Sequence, residues 1–211
     1  MIPWKNMLIG AVILGFFVSI GTALVSLTYL GTADRIQENQ RLGLMRGLNQ
    51  LLDPDSYNNA PEEDVLYVNH ALLGNERGHA VYRARKDGDP VALALRATAP
   101  DGYAGDIELL IGIRYNGEVT GVRVIAHRET PGLGDGIDER RSDWIHSFEG
   151  RSLDDPSEER WRVKKDGGVF DQFTGATVTP RAVVHAVRNA LRYYHLHREA
   201  LYAPTPGTIE E

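Results

Sequence analysis

The feature that most constrains the fold is an uncharged, strongly apolar stretch near the N-terminus. It covers residues 7–30, which is 24 residues without a charged side chain, and Lys5 precedes it while Asp34 and Arg35 follow. A helix of about 20 apolar residues crosses the hydrocarbon core of a bilayer. The stretch therefore predicts a transmembrane anchor. The small residues 31–33 leave open the alternative that it is a signal peptide cleaved at that point.

Small residues recur at every fourth position of this stretch, at Ala11, Gly15, Ser19 and Ala23. On a helix these four positions share one face, and small side chains let a neighbouring membrane helix approach closely. The pattern predicts a face against which another membrane helix can pack closely, although membrane helices are in general rich in small residues.

The rest of the chain alternates helix and strand patterns. A helix is predicted over residues 33–52, started by a cap at Asp34 and ended by Asp53-Pro54. The sequence then divides into an N-terminal tail (1–6), the anchor (7–30), a juxtamembrane helix and loop (31–64), the main domain (65–201) and a disordered tail (202–211).

Within the main domain, alternating apolar and polar residues predict strands at 79–85, 91–97, 106–115 and 118–126. Asn116-Gly117 between the last two is the strongest short signal for a hairpin. A short helix at 142–148, a short strand at 161–163 and a final helix at 180–201 complete the prediction. Mixed strands and helices with a clear hairpin favour an α+β fold.

Composition excludes several classes of function. The formal net charge is −6, which argues against a nucleic-acid-binding protein, because such proteins usually carry a basic face. The chain has no cysteine, so disulfides, thiolate metal sites, iron–sulfur clusters, c-type haem and cysteinyl flavin links are all excluded.

Residues 171–180, Asp-Gln-Phe-Thr-Gly-Ala-Thr-Val-Thr-Pro, form the first candidate site. Gly175 permits a tight turn, and Thr179 and Pro180 stand where an N-cap and a first helical residue belong. Thr177 then lies just before a helix N-terminus, which suits a phosphate. An ordinary hydroxyl-rich turn followed by a cap explains the same residues.

Residues 127–136 form the second candidate site, a loop with glycine at 132, 134 and 136. A dinucleotide fingerprint would need glycine or alanine at position 137, which is Ile137, so a Rossmann site is excluded. Pro131 stiffens the first part of the loop, and Leu133 offers an apolar contact. The loop could fold over a flat ligand, although an ordinary Pro-Gly loop has the same composition.

These two segments resemble the FMN-binding domain family, in which a Thr-Gly-Ala-Thr motif follows a Glu-Thr-Pro-Gly-Leu-Gly loop. The resemblance covers about residues 95–195. It implies that FMN is held covalently by a phosphoester to the Thr177 hydroxyl, and that a separate flavin transferase attaches it from FAD with a divalent metal. It also implies that the flavin is lined by Glu129, Thr130, Leu133, Gly134, Thr174, Gly175 and Ala176. A role for Asp171 in attachment stays open beside its role as a turn residue.

Together with the anchor, the chain resembles the flavoprotein subunits of Rnf-type electron transport complexes. This implies a single-pass protein of the bacterial inner membrane, with its domain on the periplasmic side. The flavin would carry electrons among other membrane and peripheral subunits, and the whole complex would couple electron transfer to ion translocation. Two alternatives stay open: a flavoprotein subunit of a sodium-pumping NADH:quinone reductase, and a cofactor-free anchored scaffold module.

No metal ligand and no catalytic residue is assigned from the sequence. His195 and His197 lie two apart on a predicted helix and point to different sides. A threonine hydroxyl is a weak nucleophile without an adjacent base, and no such pair stands out. The prediction is an electron-transfer subunit rather than a stand-alone enzyme.

Overall fold

The structure is a computed structural model that describes residues 4–75 and 78–203. The chain divides into two compact units, residues 1–44 and residues 45–211. The first consists of most of helix α1 (Trp4–Leu51), and the second holds a five-stranded sheet and helix α2 (Val178–Tyr202).

Helix α1 is continuous from Trp4 to Leu51. Its segment Met7–Tyr29 is the one helical stretch in the described chain that is long and apolar enough to cross a membrane, with a mean hydropathy of 2.4. The helix predicted over residues 33–52 is confirmed as far as Leu51, but it continues the apolar segment without a break, so the predicted start with a cap at Asp34 was wrong. No proline lies between these segments, and a single glycine such as Gly31 is tolerated inside a helix at a cost of about 1 kcal/mol.

The sheet is an antiparallel meander in which each strand pairs with the next one along the chain. Its strands are β1 (Val65–Val68), β2 (His79–Lys86), β3 (Asp89–Ala99), β4 (Ile107–Arg114) and β5 (Val119–Ala126). The four strands predicted from alternation are confirmed to within two residues at each end. The Asn116-Gly117 hairpin is also confirmed, since Arg114 and Glu118 pair around it and Gly117 has a φ of 92°.

Helix α2 packs on one face of the sheet through a stripe of buried residues that includes Val183, Val187 and Leu191. Alternate residues of β4, such as Ile111 and Ile113, belong to the same buried cluster. The Tyr194 hydroxyl donates a 3.0 Å hydrogen bond to the carbonyl of Tyr115, which fixes the helix against the β4–β5 turn. The predicted α+β class is therefore confirmed.

The other face of the sheet is covered by the last residues of α1. Leu48, Leu51 and Leu52 are each at most 2% exposed. Leu51 fits over two glycines: a Cβ built on Gly112 or on Gly121 would lie 2.9 Å from its side chain. These glycines let the helix end sit close to the sheet, and it stops before Pro54 as predicted.

One strand was missed, and two smaller predictions were wrong. Strand β1 was not predicted, and its four residues pair only with β2. The predicted strand at 161–163 is reduced to one bridge between Val163 and Phe170, with Trp161 buried instead. Tyr202, assigned to the tail, is helical and 7% exposed. The remaining tail residues, 204–211, lie outside the described residues.

Candidate functional site

The fold brings the two candidate segments into contact. The glycine loop follows β5, and the Thr-Gly turn precedes α2, so about 40 residues separate them in sequence. A Cβ built on Gly175 would lie 3.9 Å from Leu133 Cδ2, and a Cβ on Gly136 would lie 2.9 Å from the ring of Phe173. The loop and the turn therefore form one surface.

The turn itself is closed by a bridge between Phe173 and Ala176, whose amide donates to the carbonyl of Phe173 over 3.2 Å. Gly175 has a φ of 81°, a left-handed conformation that glycine adopts without strain. Thr174 and Gly175 are exposed at the tip, while Ala176 and Thr177 are half-buried. The predicted tight turn at Gly175 is confirmed.

Helix α2 begins earlier than predicted. Its cap residue is Thr177, and Thr177 makes no side-chain capping hydrogen bond. Within the described part of the chain its hydroxyl has no hydrogen-bond partner. The prediction that Thr179 caps the helix was wrong, because Thr179 lies inside the first turn and its hydroxyl is used elsewhere. The first amides of α2 are thus not capped by the Thr177 side chain, and the Thr177 hydroxyl beside them makes no hydrogen bond in the described chain. This arrangement suits a phosphate group.

The Thr179 hydroxyl donates to Oε2 of Glu129 over 2.5 Å. Oε1 of the same carboxyl group accepts from the amide of Ala104 over 3.0 Å. Glu129 is 5% exposed and Thr179 is fully buried. Two glycines make room for the carboxyl group, since a Cβ on Gly134 would lie 2.5 Å from Oε2 and one on Gly102 3.0 Å from Oε1. Glu129 therefore joins the glycine loop, α2 and the segment at 102–104.

Past Glu129, the glycine loop turns back on itself. The amides of Leu133 and Gly134 both donate to the carbonyl of Thr130, at 3.1 and 3.2 Å, and the amide of Gly132 donates to Asp135 Oδ1 at 2.7 Å. Thr130 is exposed, Leu133 is 49% exposed, and Gly134 is buried under the Glu129 carboxyl group. Leu133 is thus an apolar side chain held out on the surface beside the Thr-Gly turn.

Two contributors to the site were missed by sequence reasoning. The Trp144 indole donates a 2.7 Å hydrogen bond to the carbonyl of Asp171, and its ring packs edge-on against Phe173 with 5.4 Å between centroids. The segment at 102–104 supplies the amide that binds Glu129. No local sequence pattern predicts either contribution, although a tryptophan in a polar stretch indicates a ring that packs against the protein.

Charges around the turn are paired. Asp171 binds Lys164 at 2.6 Å, and both side chains are more than half exposed, so this pair adds little to stability. The hydrogen bond from Arg140 lowers the pKa of Asp138 below its usual value, despite partial burial that acts in the opposite direction. Among the described residues, no three histidine or acidic side chains cluster as a metal site would require.

Similarity to known proteins identifies the family of this chain. Residues 102–192 match the FMN-binding domain family, and residues 1–51 match the RnfG N-terminal region. The chain is 51% identical to the G subunit of the ion-translocating oxidoreductase complex of Pseudomonas aeruginosa strain UCBPP-PA14. The match extends over 208 residues, which is 98% of this chain and 97% of the relative. This chain belongs to the family of these G subunits.

Other relatives carry the same name. The G subunit of Pseudoalteromonas atlantica is 47% identical over 192 residues, which is 90% of this chain and 89% of that protein. The G subunit of Vibrio cholerae serotype O1 (strain ATCC 39541) is 46% identical over 195 residues, 92% of this chain and 93% of that protein. The resemblance to the FMN-binding domain family and to Rnf-type subunits is confirmed. In this family member, the matched FMN-binding region spans both the glycine loop and the Thr-Gly turn.

Proposed function

We propose that this protein is the membrane-anchored flavoprotein subunit of an Rnf-type ion-translocating electron transport complex. The observation that carries the proposal is the packing of the glycine loop on the Thr-Gly turn, with the ring of Phe173 close to Gly136, inside the FMN-binding region. FMN supplies reversible uptake and release of electrons, while the protein supplies its binding and orientation. Other membrane and peripheral subunits of the complex would be its electron-transfer partners.

The finer proposal is that FMN is attached covalently to Thr177. Its hydroxyl is free of hydrogen bonds within the described chain, and it stands at the uncapped start of α2, whose N-terminus favours an anion. Gly175 keeps the approach to this hydroxyl clear of a side chain. Leu133, near Gly175, and Val178, the residue after Thr177, are exposed apolar side chains that suit an apolar ring.

Attachment needs a flavin transferase, because no base lies within hydrogen-bond distance of the Thr177 hydroxyl in the described part of the chain. With FAD as donor, the bond between its two phosphates breaks and a bond forms between Thr177 Oγ1 and the FMN phosphorus. AMP leaves with the bridging oxygen, and the hydroxyl proton passes to solvent. The chain is a substrate in this step and not its catalyst.

Two matched variants test the attachment site. Thr177→Val removes the hydroxyl and keeps the shape, and is expected to abolish flavin fluorescence that survives denaturation on a gel. Thr174→Val makes the same change three residues earlier and is expected to retain it. Mass spectrometry should find the peptide containing Thr177 heavier by FMN less one water. Flavin released by denaturant, or carried on Thr174, would contradict the assignment and leave membership of the family intact.

Purification from the native host separates the open alternatives. A cofactor-free scaffold module would give a colourless protein, whereas a flavoprotein gives a yellow one. A subunit of a sodium-pumping NADH:quinone reductase would also be yellow, but it would co-purify with the other subunits of that enzyme. Mass spectrometry of the accompanying proteins is therefore expected to recover Rnf-type subunits.

We also propose that the domain lies on the periplasmic side of the inner membrane, anchored by the apolar segment of α1. Positive charges do not decide the orientation, because Lys5 precedes the segment and Arg35, Arg41 and Arg46 follow it. A phosphatase reporter that works only outside the cytoplasm, fused after Glu211, is expected to be active. The same reporter fused before Met1 is expected to be inactive, and the opposite pattern would reverse the orientation.

The small-residue face of α1 is the proposed contact with a neighbouring membrane subunit. Ala11, Gly15, Ser19 and Ala23 are exposed, and the Ser19 hydroxyl is turned back onto the carbonyl of Gly15 at 2.8 Å, which keeps the face flat. Replacing Gly15 and Ser19 by Leu is expected to reduce co-purification of the other subunits while leaving flavin attachment unchanged. Replacing Leu14 and Val18 by Phe, on other faces, is the matched control. If both double variants recover the other subunits equally, this face is not the contact.

A further inference from the structure

A cavity of about 490 Å³ lies beside the N-terminal half of α2. Its polar lining consists of Asp101, Arg162, Asp166, Arg181, His185 and Arg188. None of the residues of the glycine loop lines it, and of residues 171–180 only Val178 does. The cavity thus adjoins the start of α2 but is lined mainly by residues outside the two candidate segments, and it falls within the size range of small-molecule sites, roughly 300–1,000 Å³.

The arginines of this cavity differ in how they are neutralised. Arg181 binds Asp166 with two hydrogen bonds of 2.7 and 3.0 Å, which compensates both charges. Arg162 and Arg188, in contrast, form no ion pair and no side-chain hydrogen bond within the described part of the chain. Two guanidinium groups thus face the same space without a bound carboxylate.

Of the two arginines, Arg188 has the stronger need for a bound anion. Its Nε is buried and has no hydrogen-bond partner in the described structure. Burial lowers the pKa of this guanidinium, the nearby charges of Arg192 and Arg162 lower it further, and only Glu158 acts in the opposite direction. Glu158 is itself held by Arg192 at 3.2 Å. A buried donor of a charged group without an acceptor is costly, and an anion in the cavity would remove that cost.

We propose that this cavity binds the phosphate group of a small phosphate monoester. Two guanidinium groups without an ion-pair partner supply several N–H donors for the oxygens of a phosphate monoester, which carries about −1.5 to −2 charges at pH 7, and Asp101 in the same lining offsets only one of their two charges. The planar fork of arginine also binds phosphate oxygens in pairs. The volume leaves space for an organic group beyond the phosphate, so a nucleotide and a lipid headgroup are the two sources of this chemistry.

Calorimetric titration of the full-length, flavin-loaded protein in detergent at low ionic strength tests the proposal. The probes are AMP for a nucleotide, dihexanoyl phosphatidic acid for a headgroup, and inorganic phosphate for the anion alone. At least one organic probe is expected to bind saturably and more tightly than inorganic phosphate. The tighter organic probe identifies the source.

Two variants and a control locate the site. Arg188→Gln and Arg162→Gln are each expected to weaken binding roughly tenfold or more, because each removes a charge-assisted pair of hydrogen bonds. Arg160→Gln changes an exposed arginine that does not line the cavity, and it is expected to bind like the wild type. Arg162 is itself exposed, so its replacement leaves the fold intact even if Arg188→Gln disturbs it. No saturable binding by any probe, or an equal loss in Arg160→Gln, would overturn the proposal.

Discussion

Thr179 and Glu129, fifty positions apart, meet through a 2.5 Å hydrogen bond that is closed off from solvent. The bond ties the first turn of α2 to the start of the glycine loop. The other carboxyl oxygen accepts from the amide of Ala104, so each oxygen of Glu129 has a donor. The relative placement of the loop and of Thr177 depends on this contact, because Thr177 immediately precedes the same helical turn.

The first prediction concerns this bond. Thr179→Val keeps the shape of the side chain but leaves a buried carboxyl oxygen without its donor, which costs about 1–3 kcal/mol in the free energy of unfolding. Thr179→Ser keeps the hydroxyl and is expected to lose much less. Chemical denaturation of the full-length protein measures both, and the flavin-loaded fraction is expected to fall in the valine variant. Equal stabilities of the two variants would show that the hydrogen bond contributes nothing.

The local patterns of the sequence were sufficient for four strands of the sheet, β2 to β5, and for the two halves of the site. Alternation predicts β2 to β5 because one face of each strand is buried, and Asn116-Gly117 fixes the last hairpin. The glycine loop and the Thr-Gly turn were both recognised as candidate sites. Their contact through Leu133 and Gly175 could not be predicted, because it depends on how β5 and α2 pack.

Long-range contacts also explain what was predicted wrongly. Thr179 followed by Pro180 has the same local pattern whether its hydroxyl caps a helix or binds a distant carboxyl group, and here Glu129 is the partner. Strand β1 is too short to show alternation, and it is fixed by pairing with β2 and by ion pairs from Asp64 to Arg83 and Arg85.

The second prediction concerns the close approach of the loop to the turn. A Cβ on Gly136 would lie 2.9 to 3.2 Å from three atoms of the Phe173 ring, so Gly136→Ala forces the ring to move. Overpacking of this kind costs about 1–3 kcal/mol, and the shift is expected to lower flavin attachment as well. Gly78→Ala is the control, because no atom of the described residues lies within 4 Å of a Cβ built there. Wild-type melting and flavin content in Gly136→Ala would contradict this packing of the loop on the turn.

The third prediction concerns the end of α2. Leu201 is 1% exposed, whereas Leu196, five residues earlier on the same helix, is 66% exposed. Leu201→Ala is expected to lower the free energy of unfolding by about 2–5 kcal/mol, since it opens a cavity in the core. Leu196→Ala is expected to stay within about 0.5 kcal/mol of the wild type. Similar effects of the two changes in denaturant titrations would place the end of the helix outside the core.

The fourth prediction is a pH dependence that originates at His79. This histidine is 4% exposed in β2, and its ring nitrogen Nε2 lies 3.3 Å from the carbonyl of Asn75. Burial is the largest influence and lowers the pKa of His79 below 6.5, with a smaller contribution from Arg96. The hydrogen bond to Asn75 and the charge of Glu108 act in the opposite direction but are weaker.

The sign of the effect follows from proton binding. Between the lowered pKa of the folded protein and about 6.5, the unfolded chain binds a proton at His79 that the folded protein does not. Stability is therefore complete above this window and is lost as the pH falls through it.

His79→Gln removes the titrating group, so its free energy of unfolding, although lower at pH 7.5, is expected to fall less between pH 7.5 and 5.5. His195→Gln, at an exposed position of α2, is the control and is expected to keep the wild-type slope. Denaturant titrations across this range decide the matter: an unchanged slope in His79→Gln means that the pH dependence arises elsewhere.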